Sequence, residues 1–111
     1  MAYDPQLADR VRSLLADADA VTERKMFGGI GWTIGGNMAA GAHNDGRLMI
    51  RCSKEDFEQL LSEPGADGMK KGTRNLTGWL LIDSNAVADN RSLSRWVARG
   101  RAYAESLPRR Q

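Results

Sequence analysis

The 111-residue sequence predicts an α+β domain of two layers, an antiparallel sheet with helices packed on it, in the order α-β-β-β-α-β-β-α. Three observations predict it. Apolar residues recur at helical spacing near both ends of the chain, and in the middle they alternate with a period of two. The alternating runs are separated by "GGN" at 35–37 and "NDG" at 44–46, whose residues tolerate the positive φ of tight hairpins. Length and composition, 41% hydrophobic and 27% charged, fit one folded domain over residues 1–111 with a basic tail at 108–111.

Each element has its own signal. Asp4 caps the first helix, Pro5 occupies its first turn, and Leu7, Val11, Leu14, Leu15 and Ala18 form its apolar stripe. The first strand starts at Glu23 and carries Ile30, Trp32 and Ile34. The second alternates through Met38, Ala40 and Ala42, the third through Leu48, Ile50 and Cys52. Ser53 caps a second helix, with Asp56 three residues on and Phe57, Leu60 and Leu61 on its apolar side. Residues 69–83 read as a hairpin whose second arm, with Trp79, Leu80, Leu81 and Ile82, is central in the sheet. Asp89 then precedes a helix over 90–106 that sets Leu93, Trp96, Val97, Gly100, Tyr103, Ala104 and Leu107 on one side and Arg91, Arg95 and Arg99 on the other.

The stretch "ERKMFGGIGW" at 23–32 invites a phosphate-loop reading. A dinucleotide loop must open a helix whose N-terminus receives the phosphate, and a Walker loop needs Gly-Lys-Ser/Thr. Here an alternating strand follows, so Gly28 and Gly29 are expected to form a bulge or bend within one long first strand. Arg24 and Lys25 then point to opposite faces, as a solvated strand start or in an ion pair with Glu23 or Asp19. Met26 and Phe27 cannot both face the core of a sheet covered on one side, which leaves one of them for an interface.

Other chemistry is sparse. Cys52 is the only cysteine, so there is no internal disulfide and no thiolate cluster for a metal, and burial in its strand is the expected state. His43, the only histidine, sits beside a turn without convergent ligands. The carboxylate pairs Asp17/Asp19 and Glu55/Asp56 lie at helix ends. No catalytic residue, cofactor or metal site is expected, and a ligand pocket near Trp32, His43 or Trp79 would rest on position alone. The N-terminus has no basic and apolar leader, and no window reaches 18 apolar residues, so the expectation is a cytoplasmic protein without membrane contact.

Net charge is +2 but uneven: residues 1–66 carry 7 basic and 10 acidic side chains, residues 67–111 carry 9 and 4. The nucleic-acid candidates are therefore Arg24 and Lys25, the hairpin residues Lys70, Lys71 and Arg74, and Arg91, Arg95 and Arg99 of the last helix. A solvated helix face explains the same pattern.

The run "RKMFGGIGW…GGNMA" at 24–39, "LMIRC" at 48–52, "GWLLID" at 78–83 and "LSRWVARGRAYAESLP" at 93–108 together resemble the TfoX/Sxy N-terminal domain family from Tyr3 to Pro108. The resemblance implies a fold like that of YjbR-like and secretion-chaperone-like domains, and a role near transcription, since longer members regulate natural competence. The expectation here is a single domain without their second, helical one. The family supplies no catalytic residues to carry over. Its M-F-G-G motif falls on Met26, Phe27, Gly28 and Gly29, which with Trp32 are the structural or interface candidates. The expected function is a non-enzymatic module acting through contacts with a transcription-related protein or with a second copy of itself. Weakly specific nucleic-acid binding is the alternative.

Overall fold

The computed structural model describes residues 3–26 and 28–110. Helix α1 (Pro5–Leu14) leads into strands β1 (Val21–Met26), β2 (Gly29–Ile34), β3 (Asn37–Ala42) and β4 (Leu48–Arg51). Helix α2 (Lys54–Leu61), strands β5 (Ala66–Lys71) and β6 (Arg74–Ile82), a 3₁₀ turn at Ser84–Val87 and helix α3 (Asn90–Ser106) complete it. The strands form one antiparallel sheet in the order β1-β2-β3-β4-β6-β5, with β6 inside it as its apolar run requires.

The architecture is the two-layer α+β arrangement, with one strand more than the sequence order gave. The single long strand expected from Glu23 is two strands: Val21 to Met26 pair with Ile34 to Gly29 in antiparallel register. The chain therefore reverses between Met26 and Gly29 instead of bulging. Gly28 sits at φ +77°, and a Cβ on Gly29 would overlap the Ala42 carbonyl oxygen of β3. The two glycines serve that reversal and that close approach. A bulge does occur nearby, on β3, where the register shift between Trp32 and Thr33 leaves Ala39 as the extra residue.

All three helices lie on one face. Leu7 and Val11 of α1, Phe57 of α2, and Leu93, Trp96 and Val97 of α3 join Ile30, Trp32, Ile34, Leu48, Ile50, Leu80 and Ile82 in one core. Each such side chain contributes about 1.5–3 kcal/mol when fully buried. The helices start where their caps dictate. Asp4 accepts from Gln6 N–H, Ser53 from Asp56 N–H and Asp89 from Ser92 N–H. In α3, Gly100 rests on the Ala39 carbonyl, with no room for a side chain between helix and bulge. No helix among the described residues is long and apolar enough to cross a membrane.

Candidate interaction surface

Alternation that sends Ile30, Ala40, Ile50 and Leu80 under the helices sends their neighbours to the opposite face. That face carries Met26, Gly31, Met38, Gly41, Met49 and Leu81. Cβ atoms built on Gly31 would meet Met26 Sδ at 2.9 Å and Met38 Cε at 3.0 Å, and one on Gly41 would meet Met49 Cε at 2.8 Å. The thioethers thus lie in notches that the glycines leave open. Met69 of β5 borders the same patch, closing with Met26 and Met49 around a cavity of only about 30 Å³. Met49 and Leu81 stand opposite each other in register and are buried without belonging to the helix-covered core. Met26, Met38 and Met69 are partly exposed.

At its end the face turns polar. Arg51 packs its guanidinium 4.6 Å from the Trp79 ring centre and 5.1 Å from that of Tyr103. Its Nη1 donates to the Cys52 and Gly78 carbonyls, and it fills the space above Gly78, which has φ +93°. The sheet edges are less inviting than the face. Strand β1 exposes Thr22, Glu23, Arg24 and Lys25, and β5 ends in Lys70 and Lys71, charges that oppose strand addition.

Of the motif residues, Met26 is on this face, Gly28 and Gly29 build the β1–β2 reversal, and Phe27 lies outside the described residues. Trp32 is 1% exposed on the helix side, so it presents nothing to a partner. Its indole N–H donates to Glu23 Oε1 at 2.9 Å, and the same carboxylate takes Arg12 Nε at 2.7 Å and Nη2 at 3.0 Å. The Arg12 hydrogen bond holds Glu23 below the usual carboxylate range, against partial desolvation and with help from Trp32. This triad ties α1 to β1. It also takes Glu23 away from Arg24 and Lys25, while Asp19 pairs with Arg109, so of the two expectations for Arg24 and Lys25 the solvated strand start holds: both are exposed.

The basic candidates do not converge. Lys70, Lys71 and Arg74 flank the β5–β6 turn, and Arg91 and Arg95 are exposed on α3. Arg99 is not simply solvated: it stacks 4.5 Å from the Trp96 ring centre and pairs with Glu63 at 2.9 Å. Arg24 stands opposite Gly31 on the methionine side and Lys25 opposite Ile30 on the helix side, the opposed faces that alternation requires.

The remaining chemistry stays apart. His43 Nδ1 is 2.9 Å from Asp45 Oδ1 in the β3–β4 turn, and Trp79 lies across the sheet from Trp32. Partial burial raises the Asp45 pKa, but hydrogen bonds from the Arg47 guanidinium, the Arg47 N–H and His43 outweigh it and hold the carboxyl well below its ordinary range. Cys52 is buried, and burial pushes its thiol up. No group of three or more His, Cys, Asp or Glu side chains able to hold a metal occurs among the described residues.

The methionine face was not among the sequence candidates beyond Met26. Methionines at 26, 38, 49 and 69 share no spacing, and only the strand register brings them together. The glycines at 31 and 41 were the available signal, each beside apolar alternation. The sequence model of the TfoX N-terminal domain matches residues 13–104. No curated protein matches the chain.

Proposed function

Because the chain belongs to the TfoX N-terminal domain family, a non-enzymatic binding and regulatory module, we propose that it acts through its helix-free sheet face, by contact with a transcription-related protein or a second copy of itself. The carrying observation is the methionine cluster, Met26, Met38 and Met49 seated over Gly31 and Gly41 with Met69 beside them. Thioether side chains are apolar, flexible and polarisable, suited to repacking against an incoming surface, and an apolar patch without a covering helix marks a contact site. Residues 1–111 act as one domain in this reading. A cytoplasmic setting accords with its single buried thiol, and the helix-on-sheet arrangement is in keeping with kinship to YjbR-like and secretion-chaperone-like domains.

Light scattering after size exclusion, and capture from native lysate with and without nuclease, test it. Wild type captures a partner or dimerises, Met38→Asp loses that contact while keeping its melting temperature, and Arg91→Glu retains it. Equal behaviour of all three overturns the reading.

Direct nucleic-acid contact is the second reading, favoured by the exposed cluster Lys70, Lys71 and Arg74 on one hairpin. Phosphate contacts weaken steeply with salt. A low-salt mobility shift lost in Lys70→Glu/Lys71→Glu supports it, and no shift at low salt removes it.

A further inference from the structure

Where the methionine face meets the end of α3, a groove of about 600 Å³ opens. Met26 and Met38 line its apolar part, and Arg51, held between Trp79 and Tyr103, closes one side. The tail forms the other side, because it is tied down: Arg110 N–H donates to the Gly35 carbonyl at 2.7 Å, Asn37 Nδ2 to the Pro108 carbonyl at 2.9 Å, and Arg109 pairs with Asp19 at 2.8 Å. Arg24 and Arg110 complete the lining.

The charge of this groove is one-sided. Three arginines line it and no Asp or Glu does. Elsewhere Arg12, Arg47, Arg99, Arg101 and Arg109 each hold a carboxylate, while Arg74, Arg91 and Arg95 are exposed on other surfaces and hold none among the described residues. The guanidiniums of Arg24 and Arg110 hold none among the described residues. Two unneutralised cations beside thioethers match an occupant with carboxylates and an apolar side chain. The rings bear on what that occupant is. A single-stranded nucleic acid needs open aromatic faces for its bases, but Arg51 already lies against both Trp79 and Tyr103.

Resting on the protein-contact reading above, we propose that this groove receives an extended acidic segment of a protein partner, with carboxylates on Arg24 and Arg110 and an apolar side chain between Met26 and Met38. The neighbouring methionine face continues the contact.

The test uses fluorescence anisotropy with a short labelled peptide alternating glutamate with leucine and phenylalanine. A lysine-for-glutamate peptide and a single-stranded oligonucleotide run beside it. The acidic peptide binds, and Arg24→Glu or Arg110→Glu weakens it about ten-fold or more, since hydrogen bonds to charged groups are worth that much. Arg91→Glu, on the exposed side of α3, changes little. Failure of the acidic peptide to bind, equal binding of the lysine peptide, preference for the oligonucleotide, or indifference to both reversals overturns the proposal. Lysate capture by Arg24→Glu/Arg110→Glu separates the two readings: if that variant still captures what Met38→Asp loses, the groove assignment falls and the methionine-face contact stands.

Discussion

Gly100→Ala offers the sharpest check on how α3 is seated. Helix propensity by itself favours alanine in a helix interior by about 1 kcal/mol. The packing says the reverse. A Cβ at Gly100 would come closer than 3.0 Å to the Ala39 carbonyl oxygen, with the carbonyl carbon at 3.1 Å and Ile50 Cδ1 at 3.6 Å. That oxygen is backbone, on a bulge residue whose neighbours Met38 and Ala40 are both held in register, and cannot swing aside as a side chain could. Restoring an ordinary C···O contact moves the helix back by about 1 Å. Such a gap forfeits a quarter to a half of the dispersion attraction, or about 1–2.5 kcal/mol across Trp96 and Val97. Overpacking strain adds about 1–3 kcal/mol. Less the propensity gain, the net loss is about 1–4.5 kcal/mol, which lowers Tm by about 4–18 °C in a domain of this size. Urea and thermal denaturation measure it, with Gly46→Ala as a comparison: at φ +93° with nothing within 4 Å, it meets only backbone strain of about 1–2 kcal/mol. A Gly100→Ala protein as stable as wild type would refute the close helix–bulge contact.

Four further outcomes follow from the same geometry. Gly31→Ala meets only the ends of Met26 and Met38, so it should cost less than about 1 kcal/mol yet shift the methionine methyl resonances in NMR spectra. The depressed pKa of Glu23 contributes stability that is fully present above the ordinary glutamate range and lost as pH falls through the lowered value. The Tm advantage of wild type over Glu23→Gln should therefore shrink as pH falls below the ordinary glutamate value of about 4.3, and an advantage that grows on acidification would contradict the Arg12–Glu23 assignment. Cys52, buried and with its thiol pushed up, should react with Ellman's reagent at neutral pH at about a thousandth or less of its rate in denaturant. Ser53→Ala removes the acceptor for Asp56 N–H and should cost about 1 kcal/mol in chemical denaturation, with Ser53→Asp restoring it.

Much of the fold was legible because its signals are local. Asp89 and the stripe from Leu93 to Ala104 fix α3, "NDG" fixes the β3–β4 turn, and Ser53 with Asp56 fixes the start of α2. The reversal after Met26 was not legible: no Asn, Asp or Pro marks it, and a glycine pair reads equally as a bend or a turn until φ and register are known. The interaction face was legible only at Met26. Its other members belong together through the pairing of β2 with β3, β4 with β6 and β6 with β5, information no single window holds. Arg99 and Arg109 show the same limit for charge. Each reads as solvent-exposed in its own segment, yet Glu63 and Asp19, distant in sequence, claim them.

The anchoring of Pro108 and Arg110 to the β2–β3 turn has a practical corollary for anyone preparing this protein. A purification handle fused after the last residue would depart from the groove's own border and could shadow its entrance, mimicking loss of affinity. A handle of glutamates or other anionic residues placed there would compete outright. Handles belong on the other terminus, and a cleaved sample should be compared with an uncleaved one before a weak interaction is dismissed.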